Sequence, residues 1–123
     1  GAGDIQVDAF NTPVLKLALS GSGNARLQKL SAGEFGISIS GSGDVSADGS
    51  ATKVKVSIAG SGDVRLSDLK GEEVSVNIAG SGDAAVHASK SLEVSIAGSG
   101  DVSYSGNPAV KSSVAGSGSV SRK

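Results

Sequence analysis

The sequence predicts an all-β chain, wound into a single right-handed parallel β-helix of about six rungs of 18–20 residues each. Three observations carry that prediction. First, Gly-x-Gly followed by a small polar residue recurs seven times, opening at Gly1, Gly21, Gly41, Gly60, Gly80, Gly98 and Gly116. The steps between copies are 20, 20, 19, 20, 18 and 18 residues, and self-similarity at such a period marks a solenoid. Second, each motif is flanked by apolar residues in strict alternation, the pattern of a half-buried strand. Third, hydrophobic residues make up 37% of the chain but aromatics only 2%. A compact globule leans on aromatic volume. Here Phe10, Phe35 and Tyr104 are all there is, and the apolar content is Val, Ile, Leu and Ala, much of it β-branched and suited to strands.

Within one repeat, a long strand comes first. Its inward sets read Leu15-Leu17-Leu19, Phe35-Ile37-Ile39, Val54-Val56-Ile58, Val74-Val76-Ile78, Leu92-Val94-Ile96 and finally Val110-Ser112-Val114. A Gly-x-Gly corner follows. Glycine reaches positive φ without a Cβ clash, and stacked corners leave no room for bulk. In Gly60-Ser61-Gly62, continued alternation points both glycines inward. A short strand then carries Ile5-Val7, Ala25-Leu27, Val45-Ala47, Val64-Leu66, Ala84-Val86 or Val102-Tyr104. Last comes a return loop holding turn residues: Thr12-Pro13, Asp48-Gly49, Lys70-Gly71 and Gly106-Asn107-Pro108. The length variation falls in this loop, on one face of the coil.

Antiparallel hairpins would fit one repeat equally well. The columns favour the coil. Parallel stacking sets Leu19, Ile39, Ile58, Ile78, Ile96 and Val114 one above another. At the ordinary interstrand spacing of ~4.8 Å, six rungs form a rod roughly 30 Å long. No rung buries its own apolar side, so stability comes from its neighbours. At the C-terminus Ser112 and Arg122 replace apolar residues in inward columns, which reads as a polar cap. At the N-terminus Ile5 and Val7 keep the full apolar pattern. The expectation is that residues 1–123 form the C-terminal part of a longer solenoid, or that a partner covers this end.

Eleven Lys and Arg against twelve Asp and Glu give a net charge of −1, which offers no case for nucleic acid. No apolar run approaches the ~18 residues of a membrane span. Cysteine is absent, so disulfides and Cys-based metal sites are excluded. Gly-x-Gly is no phosphate loop here, because no helix and no Lys-Ser/Thr follows it.

Two ladders are candidate sites. Asp44, Asp63, Asp83 and Asp101 line up after the corners, with Asn24 and Ser119 at the ends. Carboxylates ~4.8 Å apart repel by roughly 1 kcal/mol per pair in a water-like medium. A divalent cation such as Ca²⁺ would offset that. The favoured reading is structural: each Asp accepts backbone hydrogen bonds at its corner, as Asn24 and Ser119 also can. The second ladder is the outward face of the long strand: Ser38, Ser57, Asn77, Ser95 and Ser113, flanked by Ser20, Ser40, Ala59, Ala79, Ala97 and Ala115. This flat, small, weakly charged strip could dock a glycan or another sheet. It could also order water, but two threonines are too few for an ice-binding array. The favoured reading is that small residues merely tolerate stacking or face another chain.

Catalysis finds little support. His87 is the single histidine, on an outward register shared with Gln28, Asp48, Ser67 and Ser105. Nothing in the pattern orients them as a triad. Polysaccharide-cleaving β-helices need acids and bases clustered in a groove, whereas Lys70, Glu72 and Glu73 read as a solvated edge. No catalytic residue and no cofactor is expected.

The run Gly98-Ser99-Gly100-Asp101-Val102-Ser103-Tyr104-Ser105-Gly106-Asn107-Pro108, then Val110 and Val114-Ala115-Gly116-Ser117-Gly118-Ser119-Val120, resembles the end of the auto-transporter adhesin head GIN domain family. The repeated Ser-Ile-Ala-Gly-Ser-Gly-Asp-Val around Gly60 and Gly98 fits it as well. The resemblance implies a right-handed β-helix, bacterial origin, and a periplasmic, outer-membrane-surface or secreted location. It also implies a non-catalytic adhesion, scaffold or ligand-binding module. Its expected partners are a glycan or protein at the cell surface, or a second copy stacked on the N-terminal rung. The alternatives are a polysaccharide-active enzyme and a cation-stabilised structural domain.

Overall fold

In the computed structural model, residues 4–8 and 11–122 are described. The first Gly-x-Gly motif, at Gly1, and Phe10 lie outside them. The described residues form strands β1 (Asp4–Asp8), β2 (Asn11–Gly21), β3 (Asn24–Gly41), β4 (Asp44–Gly60), β5 (Asp63–Gly80), β6 (Asp83–Gly98), β7 (Asp101–Ser105), β8 (Ala109–Ala115) and β9 (Ser119–Arg122). Every pairing is parallel, and β3 to β6 stack in chain order with β1 and β2 on one edge and β7, β8 and β9 on the other. The chain is a β-solenoid of about six turns.

The register puts like on like. Leu19, Ile39, Ile58, Ile78, Ile96 and Val114 are partners in succession. Phe35, Val54, Val74 and Leu92 form a second column, all buried. No polar or charged side chain is buried among the described residues, so the interior is held by apolar contact alone.

Three expectations need correction. The return segment is not a loop. It continues the strand, so β3, β4, β5 and β6 each run 16–18 residues from corner to corner. It also contributes core residues of its own: Leu30, Ala51, Leu69 and Ala88 are buried. The indels appear there as register shifts, the largest between β5 and β6, where Leu66 pairs with Val86 but Lys70 already pairs with His87. Second, the corner glycines do not both point inward. Gly62 is buried but Gly60 is exposed. The bend at Gly60 (φ 125°) turns the chain outward for one residue. Both still exclude a side chain, because a Cβ on Gly60 would run into the carbonyl oxygen of Gly41. That oxygen accepts a hydrogen bond from Ser61 N at 3.0 Å, so the corners are stitched rung to rung. Third, the column proposed around His87 breaks up. Ser105 pairs with His87 as expected, but the bulges pair Asp48 with Asp68 and His87 with Lys70. Gln28 pairs with Asp8, and Ser67 falls in the bulge.

Both ends leave apolar surface open. Ile5 is 38% exposed at one end, and Val110 and Val114 are 38% and 39% exposed at the other. Ser112 and Arg122 do occupy inward columns there, below Val94 and Tyr104.

Candidate functional site

Alternation in the long strand sends every second residue to solvent. Four outward columns result. The one nearest the corner runs Ser20, Ser40, Ala59, Ala79, Ala97, Ala115. Next is Ala18, Ser38, Ser57, Asn77, Ser95, Ser113, and all six are exposed. The predicted strip therefore exists as one straight column across the coil. The remaining two columns carry charge. Lys16, Gly36, Lys55, Ser75, Glu93 and Lys111 form one, and Val14, Glu34, Lys53, Glu73, Ser91 and Ala109 the other. In the latter, Glu34, Lys53 and Glu73 alternate in sign, so neighbouring rungs attract.

This face is not uniformly flat. A shallow hollow of about 490 Å³ lies between Lys16 and Lys55, over Gly36, and extends past Ser38, Ser57 and Asn77. The sequence pattern hid it, because a glycine in a strand looks like one more small residue. Its signal was present, however: Gly36 stands in a long strand away from any corner.

The Asp ladder is also in register, from Asn24 through Asp44, Asp63, Asp83 and Asp101 to Ser119. Asp83 Oδ1 accepts a hydrogen bond from the backbone N–H of Asp101 at 3.3 Å. Ser119 donates its hydroxyl to Asp101 Oδ1 at 3.0 Å. These bonds run between rungs rather than within a corner. Among the described residues, no group of three or more His, Asp or Glu is placed to hold a metal ion. Beside the ladder a second hollow of about 390 Å³ lies between Arg26 and Arg65, over Ser46.

His87 Nδ1 lies 2.8 Å from the hydroxyl oxygen of Ser105, on a half-buried edge of the coil. The ring has Lys70 on the other side in register. Among the described residues, no carboxylate is paired in register with it to form the third member of a triad. Lys90 Nζ meets Glu72 Oε2 at 3.8 Å on the same edge, with both side chains well exposed. No helix among the described residues is long and apolar enough to cross a membrane.

Comparison with known proteins agrees with this geometry. No curated protein matches the chain. It is similar to the crystal structure of a "putative lipid binding protein" from Parabacteroides distasonis ATCC 8503, at 30% identity and a TM-score of 0.94, covering 99% of this chain and 51% of that one. It is also similar to a "putative adhesin" from Bacteroides fragilis NCTC 9343, at 25% identity and a TM-score of 0.92, covering 98% and 56%. The chain thus spans about half the length of the solved relatives it matches, and both relatives are bacterial. The family model described as "Putative auto-transporter adhesin, head GIN domain" matches residues 1–108. With that match over most of its length and the coil repeated rung for rung, the chain belongs to the auto-transporter adhesin head GIN domain family.

Proposed function

We propose that this chain is a non-catalytic adhesion or scaffold module of the bacterial envelope, periplasmic, displayed on the outer membrane or secreted. It presents the outward face of its long strands to a glycan or a protein. One observation carries the reading: Ser38, Ser57, Asn77, Ser95 and Ser113 stand side by side, exposed, in one straight column. Such a row of hydroxyl and amide groups offers repeated donors and acceptors to a repeating ligand. A catalytic centre gathers acids and bases around one point. On this face the charges are spread along columns instead. The adhesin name of the family and of one relative supports the same reading.

A second copy is a further partner of the module. The first rung leaves Ile5, an inward-column residue, exposed, and an open parallel edge accepts another strand. Light scattering over a concentration series would report a mass above the monomer.

The main test is a glycan-array and pull-down screen with the wild-type protein and a blocked face. Ser57→Arg with Ser95→Arg sets two long side chains on the column at positions that are exposed. Binding is expected to disappear while the melting midpoint stays put. Undiminished binding by the blocked variant would place the ligand elsewhere and defeat this assignment.

A further inference from the structure

The solenoid uses its glycines where backbone meets backbone. At Gly62 an added Cβ would lie 2.5 Å from the Gly43 carbonyl oxygen and 2.7 Å from Ile39 Cγ2, distances that no packing tolerates. Gly36 is different. Its φ is outside the left-handed region, and an added Cβ would meet only Lys16 Cγ at 3.7 Å, an ordinary contact. Glycine weakens a strand interior, and where a side chain would fit it often marks close approach by something else.

The missing side chain opens the outward hollow. Gly36 sits in register directly between Lys16 and Lys55. The two lysines wall the gap, and an exposed lysine lays its methylene stem along such a surface while keeping its ammonium in water. Neither is answered by a carboxylate: among the described residues, the one ion pair joins Lys90 to Glu72. Glu34 in the next column lines an adjoining hollow with Lys16, Lys53 and Lys55, so three lysines stand there against one carboxylate and positive charge is in excess.

We propose that Gly36 is the floor of a subsite for an acidic glycan. Lys16 and Lys55 receive its carboxylates, and Ser38, Ser57 and Asn77 bond its hydroxyls. The inference rests on the adhesion reading of this face and specifies the ligand class. The unanswered lysines select an anion. They are two rungs apart, about 9.6 Å at ordinary sheet spacing, so the charges they answer are spread along a chain rather than gathered on one small ion. Bare backbone at Gly36 lets a sugar ring lie flat, with its C–H face against the lysine stems. Leu17, Ile37 and Val56 also line the hollow, but they belong to the inward columns, and no large apolar side chain projects outward from it as a bilayer-binding face requires.

The test measures binding of the chain to a labelled polygalacturonate oligomer, with dextran as the neutral polymer and phosphatidylglycerol vesicles as the anionic surface. Polygalacturonate is expected to bind, and to bind less as salt rises. Lys16→Gln with Lys55→Gln should weaken it roughly tenfold, taking each exposed charge pair near its usual strength. Gly36→Ala should weaken binding as well, yet leave the melting midpoint unchanged or raise it, because the site accepts a methyl. Lys111→Gln, in the same column but beside Glu93, should change nothing. Equal binding of dextran, with no effect of the lysine or glycine variants, would overturn the acidic subsite and leave the adhesion reading standing. Lysine-dependent binding of vesicles without polygalacturonate would also overturn it. Failure of every glycan on the array would remove the subsite, and failure of the protein pull-down as well would remove both.

Discussion

At the scale of single residues, the corner glycines are fixed by distance rather than by turn type alone. Gly62 has no left-handed φ, yet it cannot carry a side chain, because the rung below already occupies that space. Gly62→Ala is expected to cost about 2–3 kcal/mol, the upper range of an overpacked core, read as a drop in the chemical-denaturation midpoint. Gly36→Ala should go the other way, so the pair separates packing glycines from the one that leaves a hollow. Lys29 shows a different solution to a tight bend. It is the non-glycine residue with positive φ (54°) among those described, and its backbone N–H donates to Asp48 Oδ1 of the next rung at 2.6 Å. Gly49 fills the equivalent bend one rung on, paired with Leu30. The sequence marks Gly49 as a turn but gives no sign of Lys29, since a local hydrogen bond to a residue 19 positions away replaces the usual glycine.

At the scale of the element, each coil is nearly continuous strand. Alternation located the long and short strands correctly because one face of each is buried. The return segment escaped that test. Its apolar residues are single ones, Leu30 and Leu69, set among polar neighbours and next to bulges that break period two. Both are nonetheless among the most buried side chains, each about 1% exposed. Leu69→Ala should therefore cost about 2–5 kcal/mol, as for any large core side chain, and calorimetry would show it as a lower melting temperature. If Leu69 merely sat in a solvated loop, the change would be within about 0.5 kcal/mol.

At the scale of the whole molecule, stability is a sum over neighbouring coils. β4 and β5 are covered on both sides by full-length strands, whereas β1 and β2 have one parallel neighbour, β3. Amide hydrogen exchange should follow that order. The amides of β4 and β5 are expected to exchange last, at the global unfolding limit, and those of β1, β2 and β9 first. Uniform exchange along the chain would contradict a stack of nearest-neighbour units. The same geometry explains why the outward face holds no convergent centre. Stacking repeats a residue type along a line, so a ladder arises easily, while a centre needs unlike residues at one register position, as where His87 meets Ser105.

The sequence by itself determined the coil, its rung count, the inward columns and the two outward ladders, because a period near 20 residues and a period of two are both written into one chain. Only the tertiary structure decided where the bulges shift the register, that Lys70 flanks His87 opposite Ser105, and that the return segment is paired strand with its own core leucines. It alone revealed the hollow over Gly36. Whether a glycine is required or leaves space depends on atoms one rung away, and no reading along the chain measures the distance to them.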